Sequence, residues 1–261
     1  MSYKVFSATE LWQRETSFPS IPTFSQSLDS CLGSNGIQLG CLTELLGLPG
    51  TGKTQLCLQL CASVQIPSVL GGLNAEALYV DTNTNFTPQR FKEIVSASQT
   101  KCQQLLETPI VSNKDPLHRL HYINAFGLEK FCATMYRMPS VIEDHPQIKL
   151  IVIDSITFPF KEGITPSQRT GLLFRQMAEL QRLAVEKQIA VVVTNEMSTR
   201  VGLSTGSIVG ALGDAWAHRC ITRVLLSREG CERRALCLKS NCGANAVGRF
   251  KITEEGIRDV D

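Results

Sequence analysis

The run Gly47-Leu48-Pro49-Gly50-Thr51-Gly52-Lys53-Thr54 constrains this chain more than any other segment. It follows the apolar stretch Cys41–Leu46, which reads as a strand. It leads into Thr54–Val64, where Leu56, Leu60 and Val64 share one helical face. A glycine-rich turn in that position lets backbone N–H groups converge on anionic oxygens, because only glycine allows so close an approach. The helix N-terminus behind it adds its positive end. In this pattern Gly47, Leu48, Pro49, Gly50, Thr51 and Gly52 form the cradle, Lys53 reaches the β- and γ-phosphates, and the Thr54 hydroxyl ligates Mg2+. The motif predicts a site for Mg-ATP; the plain alternative is a glycine-rich turn with no ligand.

The rest of the chain alternates strand and helix, which predicts an α/β fold with a mostly parallel central sheet and helices on both faces. Ala77–Val80 reads as a short strand ending at Asp81. Thr87-Pro88 opens a long helix, with Thr at the cap and Pro in the first turn. His121–Asn124 is the next strand, followed by a helix from Leu128 to about Met138. Leu150–Ile153 and Ala190–Val193 are continuous apolar runs of the kind buried on both faces, with a helix from about Pro166 to Lys187 between them. Ser198–Leu212 is rich in Gly, Ser and Thr without periodicity and reads as a mobile loop. Ile221–Ser227, Arg234–Lys239 and Arg249–Thr253 read as antiparallel strands at one edge. Residues 1–20 stand outside the pattern as a tail, leaving 21–261 as one core.

Composition narrows the function classes. A net charge of +2 gives no overall basic field for nucleic acid, so any such site is local. The last part of the chain is more basic, with Arg219, Arg223, Arg228, Arg233, Arg234, Lys239, Arg249 and Lys251, which is equally the pattern of a solvated face. The 10 cysteines contain no Cys-x-x-Cys pair. Cys57, Cys61, Cys132, Cys220 and Cys237 fall in apolar segments where a free thiol acts as a small hydrophobe. His118 and His121 are spaced for one helix face, but no Cys stands near them in sequence, and core or surface roles are expected rather than metal binding. The start lacks an apolar signal core, and no run reaches membrane-spanning length, so neither a secreted nor a membrane protein is expected.

Asp154 ends the apolar strand Leu150–Ile153, at the edge where open α/β sheets bind ligands. Paired with the glycine-rich loop, it is a candidate for the Mg2+ shell together with Thr54.

Taken together, these segments resemble the RecA-type recombinases, specifically the eukaryotic recombinase paralogues. The resemblance runs from about Ser7 to Asp261. It is carried by Ala8-Thr9-Glu10, Gly47–Thr54 with Gln55-Leu56-Cys57, Ala77-Leu78-Tyr79-Val80-Asp81-Thr82, Leu150–Ser155, Thr194-Asn195 and Ala211-Leu212-Gly213. Val64-Gln65-Ile66-Pro67, Phe158-Pro159-Phe160 and Trp216-Ala217-His218 look most like the C-type paralogue. The resemblance implies a RecA-type P-loop ATPase core with antiparallel C-terminal edge strands, working in homologous recombination and double-strand-break repair. It also implies assembly with other paralogue subunits and the recombinase filament on single-stranded DNA, and a nuclear location, with the cytoplasm as a further one. Two family loops that line DNA fall at about Pro159–Thr170 and Ser198–Leu212. They offer Lys161, Arg169 and Arg200 to phosphates, with Arg175 a further candidate, although ordinary surface charges are the alternative. Arg90 matches the position that lies across the adenine ring, and His218 a position near the subunit boundary. Val5, Phe6 and Ala8 fall in what resembles a subunit-docking segment that adds to a neighbour by strand pairing; a tail packed on its own core is the alternative.

The sequence also departs from that family. Where the family has a general-base Glu, this chain has Asn83, and an amide cannot take a proton from water. Where the family has a γ-phosphate-sensing Gln, it has Glu196. Either Glu196 takes over part of the lost carboxylate's role, or the subunit binds ATP without needing to hydrolyse it. With Lys53, these residues would make up the catalytic set. Hydrolysis is then expected to be weak or completed by a neighbour; a fully active DNA-dependent ATPase forming its own filaments and a non-hydrolysing adaptor are the other readings. The family's N-terminal helical DNA-binding domain has no counterpart in the tail.

Overall fold

The structure, a computed structural model, describes residues 5–17, 19–33, 36–106, 115–161, 164–199, 208–241 and 245–260. The segment expected as a tail is partly structured. Ser7 caps α1 (Ala8–Thr16), its hydroxyl accepting from Glu10 N–H while the Glu10 carboxylate returns to Ser7 N–H at 2.7 Å. A small antiparallel pair, β1 (Ser20–Ile21) and β2 (Ile37–Gln38), brackets α2 (Gln26–Cys31). Polar flanks hide these short elements from a periodicity reading.

The core then follows the expected alternation. β3 (Leu42–Gly47) feeds α3 (Lys53–Ser63), β4 (Glu76–Asp81) feeds α4 (Pro88–Leu105), and β5 (Leu120–Asn124) feeds α5 (Leu128–Asp144). β6 (Ile148–Asp154), α6 (Pro166–Lys187) and β7 (Ala190–Thr199) complete the parallel part. Beyond come β8 (Ile208–Gly210), α7 (Gly213–Ala217), β9 (Thr222–Glu229), β10 (Glu232–Lys239), β11 (Val247–Thr253) and β12 (Gly256–Arg258). The main sheet runs β12-β11-β10-β9-β3-β7-β6-β4-β5, with β8 paired to β7. From β9 to β5 every pairing is parallel, and β9 to β12 are antiparallel. The helices cover both faces, so the central strands must be apolar throughout. Leu150, Val152, Ala190 and Val192 face the α3–α4 core, whereas Ile151, Ile153, Val191 and Val193 face the α5–α6 core.

Three expectations change. α5 passes through Pro139 and ends at Asp144 rather than near Met138. An interior proline costs about 3 kcal/mol, and the buried Met138 and Ile142 offset it by packing on the α6 side. Part of the expected loop 198–212 is a hairpin, with Met197↔Gly210 and Thr199↔Ile208 in register; residues 200–207 lie outside the described residues. His118 and His121 do not share a helix face. His118 lies on a short 3-10 turn, whereas His121 is on β5, with Nε2 2.7 Å from the Glu76 carboxylate. That acidic partner comes from a neighbouring strand and is invisible in the local sequence.

Candidate functional site

Strand β3 is buried along its length and delivers the loop at its C-terminal end. Gly47 is there because nothing larger fits: a Cβ would lie 2.5 Å from the Leu226 carbonyl oxygen and 2.7 Å from Thr51 Oγ1. Gly50 and Gly52 take φ of 79° and 101°, in the left-handed region, and Gly52 caps α3. Thr51 Oγ1 donates to the Leu48 carbonyl at 2.8 Å and pins the turn. Lys53 Nζ folds back onto the carbonyls of Gly47, at 2.8 Å, and Leu48, at 3.1 Å. Burial pulls the Lys53 ammonium below its ordinary range, and the negative Asp154 and Glu196 work against that.

Asp154 is the second pole. Its Oδ2 accepts from the Thr54 hydroxyl at 2.6 Å and the Tyr79 phenol at 2.8 Å, and its Oδ1 from Thr194 Oγ1 at 2.5 Å. Burial, and then the negative Asp154, push the Tyr79 phenol far above its usual range, so it remains a donor. Below, Thr82 Oγ1 donates to the Ser155 carbonyl and accepts from Ser155 N–H, tying the ends of β4 and β6 together. Asp81 organises the next loop by accepting from the N–H groups of Asn83, Asn85 and Phe86. The result is a cavity of about 540 Å3, lined by Pro49, Gly50, Gly52, Lys53, Thr54 and Gln55 on one side. Asn83, Asn85, Asp154, Ser155, Thr194, Glu196, Arg233 and Ile252 line the rest. A helix N-terminus, the Lys53 ammonium held on the loop carbonyls and a hydroxyl–carboxylate pair on one wall make a donor set suited to a phosphate chain with a divalent cation. All of these groups lie at the C-terminal ends of parallel strands, where the sheet's order places β3 away from β4.

A family model described as Rad51 matches residues 14–260. The chain belongs to the Rad51 family. Among curated Rad51-type relatives, a "DNA repair protein RAD51 homolog 3" from Cricetulus griseus is 33% identical over 98% of this chain and 73% of its own length. A protein of the same name from Dictyostelium discoideum is 31% identical over 92% of the chain and 65% of its own length. A "DNA repair and recombination protein RadA" from Metallosphaera sedula is 32% identical over 97% and 76% respectively. The chain thus spans roughly two thirds to three quarters of these relatives. The RecA-type core and the likeness to the C-type paralogue both agree with the reading of the sequence.

Of the sequence-derived site residues, Lys53, Thr54, Asn83, Asp154 and Glu196 share the one cavity. Glu196 stands beside Gly47 in the β3–β7 register and forms an ion pair with Lys161, Oε2 to Nζ at 2.9 Å. Arg90 stands behind Gln55 instead of lining the cavity. Its Nε donates to Gln55 Oε1 at 2.8 Å, and its other nitrogens reach Glu93 and the carbonyls of Thr253 and Glu254. Arg169 is half-buried in the first turn of α6, Arg175 is exposed on that helix, and Arg200 lies outside the described residues. His218 is exposed just after α7, its carbonyl accepting from Lys239 Nζ at 3.1 Å. Val5, Phe6 and Ala8 are exposed, and Ala8 begins a helix rather than a strand. Sequence reasoning missed Tyr79, Thr194, Arg233 and Ile252. The first two were detectable as polar groups inside the buried strands β4 and β7, which flank β6 and its Asp154; Arg233 and Ile252 arrive from the antiparallel edge and carry no motif.

Proposed function

We propose that this chain is an ATP-binding recombinase paralogue that acts in recombination and DNA repair, with its ATP used chiefly as a conformational and interface ligand. The observation that carries it is the pairing of an intact phosphate loop with an incomplete hydrolytic set. Lys53, Thr54 and Asp154 converge as binding requires, whereas the cavity wall has Asn83 where the family resemblance calls for a carboxylate base. An amide leaves water without a proton acceptor, and losing a general base typically lowers a rate by about 10²–10⁴. The other carboxylate of the wall, Glu196, is engaged by Lys161, which argues against its acting as a free base.

In this reading the loop N–H groups and Lys53 bind the phosphate chain, and Thr54 and Asp154 hold Mg2+. When bound, that ion would neutralise phosphate charge and fix the chain's orientation. Arg90 steadies Gln55 at the base end. Lys161, Arg169 and Arg200 are the candidate contacts to single-stranded DNA, and the N-terminal segment 1–20, with Val5, Phe6 and Ala8, is the candidate docking segment for other paralogue subunits and the recombinase filament. A role in meiotic recombination and a nuclear location belong to the same reading. No helix among the described residues is long and apolar enough to cross a membrane.

Titration of the chain with a fluorescent ATP analogue in Mg2+ tests this, alongside turnover with and without single-stranded DNA. Expected is binding that Lys53→Ala weakens at least a hundredfold, with turnover that is slow in both conditions. Binding that survives Lys53→Ala, or fast DNA-stimulated turnover by the chain alone, overturns it.

A further inference from the structure

On β9, Gly47 of the phosphate loop lies beside Leu226, and two residues further along is Arg228. Arg228 is directly opposite Arg233 on β10, and Arg233 is in turn opposite Phe250 on β11. Phe250 and Ile252 lie against Gly52, close enough that a Cβ on Gly52 would meet Ile252 Cδ1 at 2.7 Å and Phe250 Cε2 at 3.9 Å. This register brings two guanidinium groups side by side where the loop leaves the sheet. Like charges opposite each other across two strands are destabilising, and no carboxylate among the described residues forms an ion pair with either group. Arg228 Nε donates to the Gly230 carbonyl at 2.9 Å, and an Arg233 terminal nitrogen to the Cys231 carbonyl at 2.8 Å, so the hairpin turn holds both in place. Arg233 Nε, like Arg234 Nε, is buried without an acceptor among the described residues, but of the two only Arg233 lines the cavity that Lys53 and Thr54 also line. A buried donor left unmade is costly and calls for a partner. Burial, and then the neighbouring Arg228, also pull Arg233 below the ordinary guanidinium range, an opposition that a bound anion relieves.

We infer that Arg233, oriented by the β9–β10 hairpin and backed by Arg228, is a nucleotide-binding residue that contacts the polyphosphate chain from the side opposite Asp154. The inference rests on the nucleotide reading above and adds to it a cation supplied by the chain itself, from outside the glycine-rich motif. The Nε–H and the free terminal N–H groups of a guanidinium form a fork suited to phosphate oxygens.

Competition against a fluorescent ATP analogue, using ATP and inorganic tripolyphosphate as competitors in Mg2+, tests it. Arg233→Met should weaken both competitors about tenfold, as loss of one charge-assisted contact does. Arg233→Lys, which keeps the charge without the fork, should recover part of the loss. Arg234→Met, on the other face of β10 and paired with Glu229, should leave both affinities unchanged. The ligand-free thermal midpoint of Arg233→Met should match or exceed that of the wild type, because a repulsion is removed; a merely structural arginine would lower it. Unchanged ATP affinity in Arg233→Met overturns the inference, whether or not DNA binding weakens. So does a loss confined to ATP and absent for tripolyphosphate, which would put Arg233 at the base or sugar. A wild type that binds neither competitor overturns the nucleotide reading first, and is told apart by the missing signal.

Discussion

Lys161 and Glu196 meet as an ion pair of 2.9 Å, joining the turn after β6 to the part of β7 that lies beside Gly47. Lys161 also stands over the Phe158 ring, 4.9 Å from its centroid. The residue read from sequence as a DNA contact and the one read as a γ-phosphate neighbour are therefore one unit. A half-exposed pair of this kind contributes only about 0–1 kcal/mol to stability, so its consequence lies in the site's charge. Glu196→Gln should leave folding unchanged and tighten ATP by roughly fivefold, as a repulsion of about 1 kcal/mol is removed. Turnover should not fall. A drop in turnover with unchanged affinity would establish Glu196 as a working base and contradict the reading given above.

Asp154 satisfies three hydroxyl donors, from Thr54, Tyr79 and Thr194. Asp154→Asn keeps one oxygen acceptor and turns the other position into a donor, against groups held as donors. Stability should fall by about 1–3 kcal/mol, read as a lower thermal midpoint without nucleotide. The metal role predicts something separate: ATP affinity in the variant should no longer depend on Mg2+ concentration. An undiminished Mg2+ dependence would remove Asp154 from the metal shell even if the stability loss were found.

The parallel core was legible because its strands are buried on both faces, which forces unbroken apolar runs such as Leu150–Ile153 and Ala190–Val193. The loop was legible because close approach to phosphate demands glycine at fixed places. What escaped depends on pairing across distance. Glu44 reads as a polar interruption in an apolar strand, yet it is fully buried. It accepts from Asn195 Nδ2, Trp216 Nε1 and Arg223 Nε, which come from two other strands and α7. That network sets the strand position next to Glu196, and no local pattern announces it. Arg233 escaped likewise, since its role follows from the β9–β10 register and not from its neighbours in sequence. Helix α1 was missed because it is short, at 9 residues, and polar on average.

The N-terminal segment exposes apolar surface that a partner would cover. Val5 is 92% exposed and Trp12 65%, on either side of the Ser7–Glu10 cap. Deleting residues 1–12 should abolish co-purification with paralogue subunits while leaving the ATP affinity of the isolated chain unchanged. Retained association would refute the docking role. Lost ATP binding would instead mean that the segment supports its own core.

Asp29 gives a pH signature remote from the cavity. It lies in the first turn of α2, where its Oδ1 accepts from Thr23 N–H at 2.8 Å and Thr23 Oγ1 at 2.7 Å. Burial raises its carboxyl to about 6; the bonds from Thr23 oppose this, and nearby Asp259 adds to it. An acid whose folded pKa lies above the unfolded value of about 3.9 holds its proton more tightly in the folded chain. Stability is therefore lost as pH rises from about 4 to about 6, and the loss is constant above that. Asp29→Asn keeps the Oδ1 acceptor for Thr23 and carries no charge at any pH. Its stability should equal that of the wild type near pH 4 and exceed it by about 1–3 kcal/mol at pH 7. Urea unfolding across pH 4 to 7.5 reads the difference directly. A gain of the same size at every pH would assign the effect to packing, and no gain at pH 7 would show that Asp29 stays ionised in the folded chain without cost.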